Sequence, residues 1–418
     1  MTHGDLRLTE HIIFDRKNKK GWSEMCRYSR FPIEPSEQIK RLPEQFFSNL
    51  YAKVDKHAAQ GDLINLATGS PDLPTPSHIV RALQQAAEKP VYHRYSPFTG
   101  FRHLKEAICQ WYKTEQGVDL DPETEVAILF GTKTGLVEIS QTLLNPGDIA
   151  LVPDPGYPDY WSGIAIAGAE MVPMPLLRAN DFLPDFSAIP PHALKRAKLM
   201  FLNYPGNPTG AFAPADFFDE AIRFASEHRI VIAHDFAYGA IGFDGKKPLS
   251  FLTRPGAKET GVEFYTLSKT YNMAGWRVGF ALGNRDVIRL INLLQDHYFV
   301  SLFGAIQEAA VAALTSSQEC VRRLVAVYES RRNALFEELA KIGWHAPKPA
   351  GSFFAWLPVP EGFTSEQWTG LLVEQAHVLV APGIGFGRHG EGYVRVSLLA
   401  SEDRIREAVA RIGALSLF

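Results

Sequence analysis

Cysteine is scarce in this sequence. Cys26, Cys109 and Cys320 are the only three among 418 residues, and they lie far apart. An odd number of widely separated cysteines forms neither a CxxC pair nor a disulfide framework, which argues against a disulfide-stapled secreted domain. No apolar run approaches the roughly 18 residues of a membrane span, and the N-terminus lacks the charged-then-apolar pattern of a secretory signal. We therefore expect a cytoplasmic protein with no membrane partner.

An excess of positive charge is also missing. Lys and Arg number 43 against 46 Asp and Glu, for a formal net charge of -3. Because such a chain has no overall positive field, nucleic acid is not an expected partner. The sequence contains no HExxH motif, Walker lysine loop or GxSxG elbow, and its thirteen histidines show no convincing ligand spacing, so we expect no metal.

What is present is the composition of a globular protein, with 46% hydrophobic and 21% charged residues. A chain of this length usually divides into two or more domains. We expect an N-terminal arm or tail at residues 1–41, a segment that contributes to a small domain at 42–74, a large domain at 75–305 and a small C-terminal domain at 306–418. A helix is predicted from residue 42 onward, and Met25 is a possible alternative start.

Short apolar runs alternate with helical patterns through the middle of the chain. This order predicts βαβ units, hence an α/β fold with a mostly parallel sheet sandwiched by helices. After residue 305 the pattern changes to one long helix and a smaller α+β domain, with helices opened by Thr364 and Ser401. The strand candidates are residues 126–130, 149–153, 198–202, 230–234, 262–267, 279–283, 353–359 and 393–399.

Five polar clusters each follow one of these predicted strands. They are the sequences GTK, DPGYP, NYPGNPTG, DFAY and SK, which begin at Gly131, Asp154, Asn203, Asp235 and Ser268. In an open α/β sheet, ligands bind outside the carboxyl ends of the strands, so the clusters are expected to converge on one crevice. A lysine, a carboxylate and backbone suited to a phosphate are what pyridoxal phosphate requires.

From about residue 42 to the C-terminus the chain resembles the fold-type-I class I/II aminotransferases. SKTYNMAGWRVG at 268–279 is similar to the family's lysine signature, and NYPGNPTG and DFAY occur in the family's order. The resemblance implies a pyridoxal-phosphate enzyme with a large cofactor-binding domain and a smaller α+β domain. It also implies a homodimer with composite active sites.

The resemblance implies a role for each matching residue. Lys269 matches the catalytic lysine that links to the cofactor, although a lone lysine after a strand is usually a solvated charge. Asp235 matches the carboxylate that keeps the pyridine nitrogen protonated. Tyr238 and Asn207 match the groups that hydrogen-bond the ring 3-oxygen. The structural alternatives are a helix cap for Asp235, a core tyrosine for Tyr238 and a turn asparagine for Asn207.

A phosphate site is implied by two further groups. Arg277, Ser268 and Thr266 match phosphate ligands, and a guanidinium suits a phosphate dianion. The loop Gly131, Thr132 and Lys133 matches the family's helix N-terminus that binds the phosphate through its amides. An ordinary ion pair and a strand-to-helix turn are the structural alternatives.

Four residues complete the implied site. Tyr157 matches an aromatic ring that stacks on the cofactor, and Tyr95 resembles a tyrosine that reaches the phosphate from a neighbouring subunit. Arg395, in GYVRVSLL, matches the arginine that pairs with the substrate α-carboxylate, and Gly69 matches a glycine that faces that carboxylate. A core aromatic ring and a tight turn are the alternatives for Tyr157 and Gly69.

Within the family the chain looks most like a branch of methionine-salvage and LL-diaminopimelate aminotransferases. The nearer resemblance implies that 4-methylthio-2-oxobutyrate is aminated to methionine, with glutamine or a similar donor. LL-diaminopimelate, aspartate or alanine transamination and a pyridoxal-phosphate C–S β-lyase are the alternatives. A non-catalytic sensor would need a DNA-binding extension that the N-terminus is too short to supply. The glycine-rich GIGFGRHG at 383–390 lacks the spacing and the following helix of a dinucleotide loop.

Overall fold

The computed structural model describes residues 33–44, 46 and 62–418. The segment up to Arg41 is one unit and Leu42–Phe418 is another. The first contains helix α1 (Glu37–Lys40), where the Ser36 hydroxyl accepts a hydrogen bond from the Ile39 amide at 3.4 Å. The expected arm before residue 33 and most of the helix expected after residue 42 lie outside the described residues. No described helix is both long and apolar enough to cross a membrane.

A seven-stranded sheet forms the centre of the larger unit. The strand order is β2-β8-β7-β6-β5-β3-β4, and all neighbours are parallel except that β8 runs antiparallel to β2 and β7. The prediction of a mostly parallel sheet is confirmed. Its strands are β2 (Val126–Leu129), β3 (Ile149–Asp154), β4 (Glu170–Pro175), β5 (Ala197–Leu202), β6 (Val231–Asp235), β7 (Gly261–Thr266) and β8 (Gly279–Gly283).

Helices cover both faces of this sheet, which is why several of its strands are apolar without alternation. Ile149 and Leu151 belong to one buried cluster, and the intervening Ala150 belongs to another. The first cluster includes residues of α2 (Ser77–Ala87), α3 (Arg102–Gln116), α7 (Ala215–His228) and α11 (Gly304–Thr315). The second includes residues of α4 (Thr132–Leu143), α5 (Asp159–Ala167) and α10 (Arg285–Tyr298). Short helices α6 (Pro191–Leu194), α8 (Ala257–Thr260) and α9 (Leu267–Thr270) connect the strands.

A smaller antiparallel-sheet domain follows in sequence. Its sheet has the order β11-β12-β9, from β9 (Phe354–Pro358), β11 (Ala381–Pro382) and β12 (Tyr393–Ser397). A two-stranded parallel pair joins β1 (Ile64–Asn65) to β10 (Val378–Leu379). The helices are α12 (Glu319–Lys341), α13 (Ser365–Leu371) and α14 (Glu402–Gly413).

The predicted helix starts of this domain are confirmed. Thr364 and Gln367 form a capping box at α13, and the Ser401 hydroxyl accepts from the Arg404 amide at 3.4 Å at the start of α14. The long helix expected after residue 305 is α12, which contributes Leu324, Leu335 and Leu339 to the domain's buried cluster. The residue boundaries given above for the domains stay a prediction.

Strand direction determines where the polar clusters lie. Strands β2, β3, β5, β6 and β7 all end at one edge of the large sheet, because the antiparallel β8 lies between β2 and β7. The segments that follow these five strands therefore meet at that edge, as the sequence predicts.

Candidate active site

A cavity of about 360 Å³ lies at this edge of the large sheet. Its volume is within the roughly 300–1,000 Å³ range of small-molecule sites. Every residue that the sequence analysis assigns to the site lines the cavity, except Gly131 and Tyr95. Phe354 and Phe386 from the smaller domain complete the wall, so both domains contribute side chains to it.

Lys269 is placed by the turn that follows β7. Thr266 caps the short helix α9, since its hydroxyl accepts from the Ser268 amide at 3.1 Å. The Lys269 ammonium donates to the carbonyl oxygen of Gly69 at 2.7 Å. Burial, with the nearby cations of Arg395 and Arg277, lowers the pKa of Lys269 to about 8. A substantial fraction of this amine is therefore neutral, and nucleophilic, near physiological pH.

Asp235 is the last residue of β6 and is buried. Its Oδ2 accepts a hydrogen bond from the Tyr160 hydroxyl at 2.8 Å, whereas its Oδ1 has no partner among the described residues. Burial raises the pKa of Asp235 to about 6, against the lowering effect of the Tyr160 hydrogen bond. A buried acceptor without a donor is costly. The N–H of a protonated pyridine nitrogen is the kind of donor that fits this acceptor.

Asn203 holds the loop after β5 in place. Its Nδ2 donates to the carbonyl oxygen of Asp235 at 2.7 Å, and its Oδ1 accepts from the Asn207 amide at 2.7 Å. The buried Asn207 side chain is thereby presented to the cavity, where its Oδ1 accepts from Nη1 of Arg395 at 2.9 Å. Tyr238 is also buried in the cavity wall, and burial raises the pKa of its phenol.

Arg395 lies in the centre of β12 and is buried. Its Nη2 donates to the carbonyl oxygen of Ala67 at 2.7 Å. The guanidinium carbon lies 3.9 Å from the ring centroid of Phe354 and 4.7 Å from that of Phe386. Both rings stabilise the cation and define its orientation. A guanidinium that is held in this way is suited to bidentate binding of a carboxylate.

The part of the cavity beside α4 has the character of an anion site. Gly131 has φ +78° and precedes α4, whose first residue Thr132 lines the cavity beside Ser268. A Cβ on Gly131 would lie 2.2 Å from Nη2 of Arg277, so only glycine permits this approach. The start of an α-helix beside a guanidinium favours a phosphate.

Three of the predicted cofactor ligands are placed less directly for binding than the others. Lys133 lines the cavity, but its Nζ pairs with Asp159 at 2.9 Å. Tyr157 is half-buried in the wall, with its ring edge-on to Tyr160 at 5.6 Å. Tyr95 is 91% exposed and does not line the cavity. Its expected contact with a neighbouring subunit's cofactor stays a prediction.

Two residues that sequence reasoning did not identify support the site. Tyr160 lies within the same PDPGYPDYW segment as Tyr157, and Asn203 begins the NYPGNPTG segment. Tyr160 hydrogen-bonds Asp235, which is distant in sequence, and Asn203 hydrogen-bonds Asn207, which is not its neighbour in sequence. The sequence feature that could have identified both residues is a polar or aromatic side chain shortly after the end of a predicted strand.

The cavity fits the expected pyridoxal phosphate on three independent features. Lys269 provides an amine of lowered pKa. Asp235 provides a buried carboxylate oxygen that has no partner among the described residues. The start of α4, beside Gly131, provides an anion site. These features occupy one cavity and correspond to the aldehyde, the ring nitrogen and the phosphate of that molecule.

Comparison with known proteins agrees with this geometry. Residues 61–412 match the family model described as aminotransferase class I and II. The chain is 61% identical to L-glutamine--4-(methylsulfanyl)-2-oxobutanoate aminotransferase of Bacillus subtilis, over 92% of this chain and 97% of that protein. It is 45% identical to an LL-diaminopimelate aminotransferase of Syntrophobacter fumaroxidans, over 91% and 98%. The substrate-bound structure of BacF from Bacillus subtilis superposes with a TM-score of 0.89 and 50% identity, covering 93% of this chain and 98% of that one.

Proposed function

This chain belongs to the class I and II aminotransferases, and we propose that it aminates 4-(methylsulfanyl)-2-oxobutanoate to methionine with glutamine as the amino donor. The observation that carries this choice of substrates is the 61% identity to the Bacillus subtilis enzyme over nearly the full length of both chains. Glutamine gives its α-amino group to the enzyme and gains an oxo oxygen from water. The acceptor oxo acid then takes the amino group and loses its oxo oxygen as water, so atoms balance over the two half-reactions.

The family uses pyridoxal phosphate, which when bound supplies an electron sink for the bond electrons released at the substrate α-carbon. In our proposal Lys269 would hold the cofactor at its aldehyde carbon, with loss of water, and Asp235 would pair with its ring nitrogen. Asn207 and Tyr238 would hydrogen-bond the ring 3-oxygen, and Tyr157 would stack on the ring. The phosphate would be held by Arg277, Ser268, Thr266 and the loop Gly131, Thr132 and Lys133.

Lys269 is the proposed proton carrier. With substrate bound, its Nζ would remove the substrate α-proton as a base and would later give up a proton as an acid. A pKa of about 8 suits both tasks, because neither form of the amine is scarce near neutral pH. The hydrogen bond to the carbonyl of Gly69 supports this role, because it shows the amine within reach of the residue that we assign to the substrate carboxylate.

Arg395 is the proposed ligand of the substrate α-carboxylate. Donor and acceptor both carry this carboxylate, so one arginine serves both half-reactions. Because Asn207 accepts from Arg395, the same asparagine connects the substrate arginine to the cofactor ring. Two substrates that use one site in turn give ping-pong kinetics.

The cations of the cavity favour a substrate with one carboxylate. Among the described lining residues the cationic side chains are Lys133, Lys269, Arg277 and Arg395. Lys133 is paired with Asp159, and the other three have roles at the cofactor or the α-carboxylate. The aromatic rings of Phe354 and Phe386 suit a thioether, since sulfur packs favourably against aromatic rings. This lining favours the methylsulfanyl acid over a dicarboxylic acid or LL-diaminopimelate.

We further propose a homodimer in which Tyr95 reaches the partner's cofactor phosphate. The supporting feature is an exposed group of apolar side chains, Val91, Tyr95, Phe98 and Phe303, that are 57%, 91%, 56% and 43% exposed. Phe303 packs edge-on against His93, so the two segments that carry this group are adjacent. Exposed aromatic side chains beside one another are typical of protein interfaces. A cytoplasmic location also belongs to this proposal, supported by the three widely separated cysteines.

The reaction class is tested with the Lys269→Ala variant and with the donor alone. We expect the variant to retain bound cofactor but to lose turnover of glutamine with 4-(methylsulfanyl)-2-oxobutanoate. Near-normal turnover would contradict the role of Lys269. For the native enzyme, glutamine without an acceptor should yield one equivalent of oxo acid per site. Continuous release of pyruvate and ammonia from a β-thio amino acid would identify a C–S lyase instead.

A further inference from the structure

The glycine-rich segment 383–390 connects β11 to β12 in the smaller domain and forms two short turns, Gly383–Phe386 and Arg388–Gly390. Phe386 at the end of the first turn is fully buried and lines the active-site cavity. Gly387 between the turns has φ +130°, a conformation that glycine adopts without strain.

This segment is attached to the carboxyl end of β3 by hydrogen bonds to Asp154. Its Oδ1 accepts from the His389 amide at 3.0 Å, and its Oδ2 lies 2.8 Å from His389 Nδ1. The Gly156 amide donates to the carbonyl oxygen of Phe386 at 2.8 Å. A Cβ on Gly387 would lie 2.1 Å from Asp154 Oδ1, so the carboxylate occupies the space beside this glycine. The residues around Phe386 are thus attached on both sides to the strand end of the larger sheet.

Phe386 in turn contacts the substrate arginine. Its ring centroid is 4.7 Å from the Arg395 guanidinium carbon, on which Phe354 also packs. Trp356 supports Phe386 edge-on at 5.9 Å. Phe354 and Trp356 lie on the continuous strand β9, whereas Phe386 lies on the connecting segment. The position of Phe386 therefore depends on the contacts of that segment.

We propose that Asp154 and His389 are positioning residues for carboxylate recognition. Neither lines the cavity. They act through Phe386, which they hold against Arg395 so that the guanidinium presents the geometry that a carboxylate requires. This inference rests on the proposed role of Arg395. It adds that the contact of Phe386 with Arg395 sets the affinity of this arginine for the substrate carboxylate.

The test is a set of variants at His389, whose side chain is one-third exposed, so that we expect substitution there to leave the fold intact. His389→Ala removes the side-chain hydrogen bond but leaves the amide bond to Asp154. We expect KM for both glutamine and 4-(methylsulfanyl)-2-oxobutanoate to rise about fivefold, the size of one net hydrogen bond. Because the chemical step and the cofactor site are untouched, kcat should stay within about twofold and cofactor affinity should not change.

Two further variants separate positioning from a general structural effect. In His389→Asn, the amide nitrogen replaces Nδ1 as a donor and should restore KM. In a background of Asp154→Ala, His389→Ala should add no further increase, because its partner is already absent. Asp219→Ala, which breaks a partly exposed ion pair with Arg254, is the matched control and should leave KM unchanged.

The outcomes distinguish this inference from the proposed function. An unchanged KM in His389→Ala, or a fall in kcat together with cofactor loss, would overturn the positioning role. Arg395→Lys is measured in parallel. If it raises KM and His389→Ala does not, only the positioning role fails. If Arg395→Lys leaves KM unchanged, the assignment of Arg395 itself is wrong, and this inference fails with it.

Discussion

The hydroxyl of Tyr160 donates a 2.8 Å hydrogen bond to Oδ2 of Asp235, and both groups are buried at the base of the cavity. The hydrogen bond lowers the pKa of Asp235, while burial raises it to about 6. Tyr160 therefore keeps the carboxylate ionised at neutral pH. An ionised carboxylate is what the protonated ring nitrogen of the cofactor needs as its partner.

Replacing Tyr160 with phenylalanine should weaken cofactor binding about tenfold, because a hydrogen bond to a charged group is lost. The pKa of Asp235 should rise further, so cofactor release on acidification should occur at higher pH than in the native enzyme. Cofactor absorbance across a pH titration measures this. Tyr112→Phe, which removes a similar bond to the buried Glu263, is the control and should leave the midpoint unchanged. Equal midpoints for Tyr160→Phe and the native enzyme would refute the coupling.

Asp235→Asn should stabilise the cofactor-free protein at neutral pH. Folding raises the pKa of this carboxyl from 3.8 to about 6, so the folded state disfavours its ionised form. Ionising the carboxyl in the folded state costs free energy. This cost is absent below the pKa of 3.8 in the unfolded chain, grows as the pH rises from 3.8 to about 6 and is complete above about 6. We expect a gain of about 3 kcal/mol in the free energy of unfolding at pH 8, falling as the pH is lowered toward 4. Urea unfolding at both pH values tests this, with Asp219→Asn as a surface control. A less stable variant at pH 8 would contradict it.

The pKa of Lys269 predicts how the cofactor-free enzyme recovers its cofactor. Only the neutral amine attacks an aldehyde, so the rate of reconstitution should rise with pH through about 8 and then level off. Arg395→Gln removes a nearby cation and should move the midpoint to higher pH. Lys133→Gln should not move it, because that ammonium is paired with Asp159. Stopped-flow absorbance gives the rates, and a common midpoint for all three proteins would exclude the electrostatic cause.

The composite site predicts complementation between two inactive proteins. Tyr95→Ala and Lys269→Ala chains, mixed under subunit exchange, should form hybrid dimers with one native site each. Equal mixing should restore about one quarter of native activity, since half of the dimers are hybrids with one good site of two. Mixing two preparations of Lys269→Ala is the control. A monomer in sedimentation, or no recovery after proven exchange, would overturn the role of Tyr95.

Much of the fold is predictable because the central strands have a strong signal. The runs that end near Leu129, Pro153 and Gly283 are apolar without interruption, as strands buried on both faces are. The edge strand β4 (Glu170–Pro175) gave no such signal. It contains Pro173 and Pro175, which lack the N–H needed for a sheet ladder and are tolerated here because β4 lies at the edge of the sheet.

The candidate site was predictable where its residues follow strands in sequence, because parallel strands deliver their ends to one edge. Lys269, Asp235 and Asn207 meet in the cavity as expected. Contacts between distant segments were not predictable. Asp154 and His389 are 235 residues apart, and the turns of residues 383–390 have no periodicity that indicates their partner. Such pairings depend on how the domains pack, which local patterns do not encode.

The central claim, amination of 4-(methylsulfanyl)-2-oxobutanoate, is tested most directly in a single half-reaction. The enzyme is converted to its aminated cofactor form and mixed separately with that oxo acid, 2-oxoglutarate, pyruvate and oxaloacetate. Return of the cofactor absorbance gives each rate. We predict the fastest return with 4-(methylsulfanyl)-2-oxobutanoate, since the cavity has one cation for an α-carboxylate and aromatic walls for a thioether. Inertness toward this acid together with a fast reaction of 2-oxoglutarate would contradict the account.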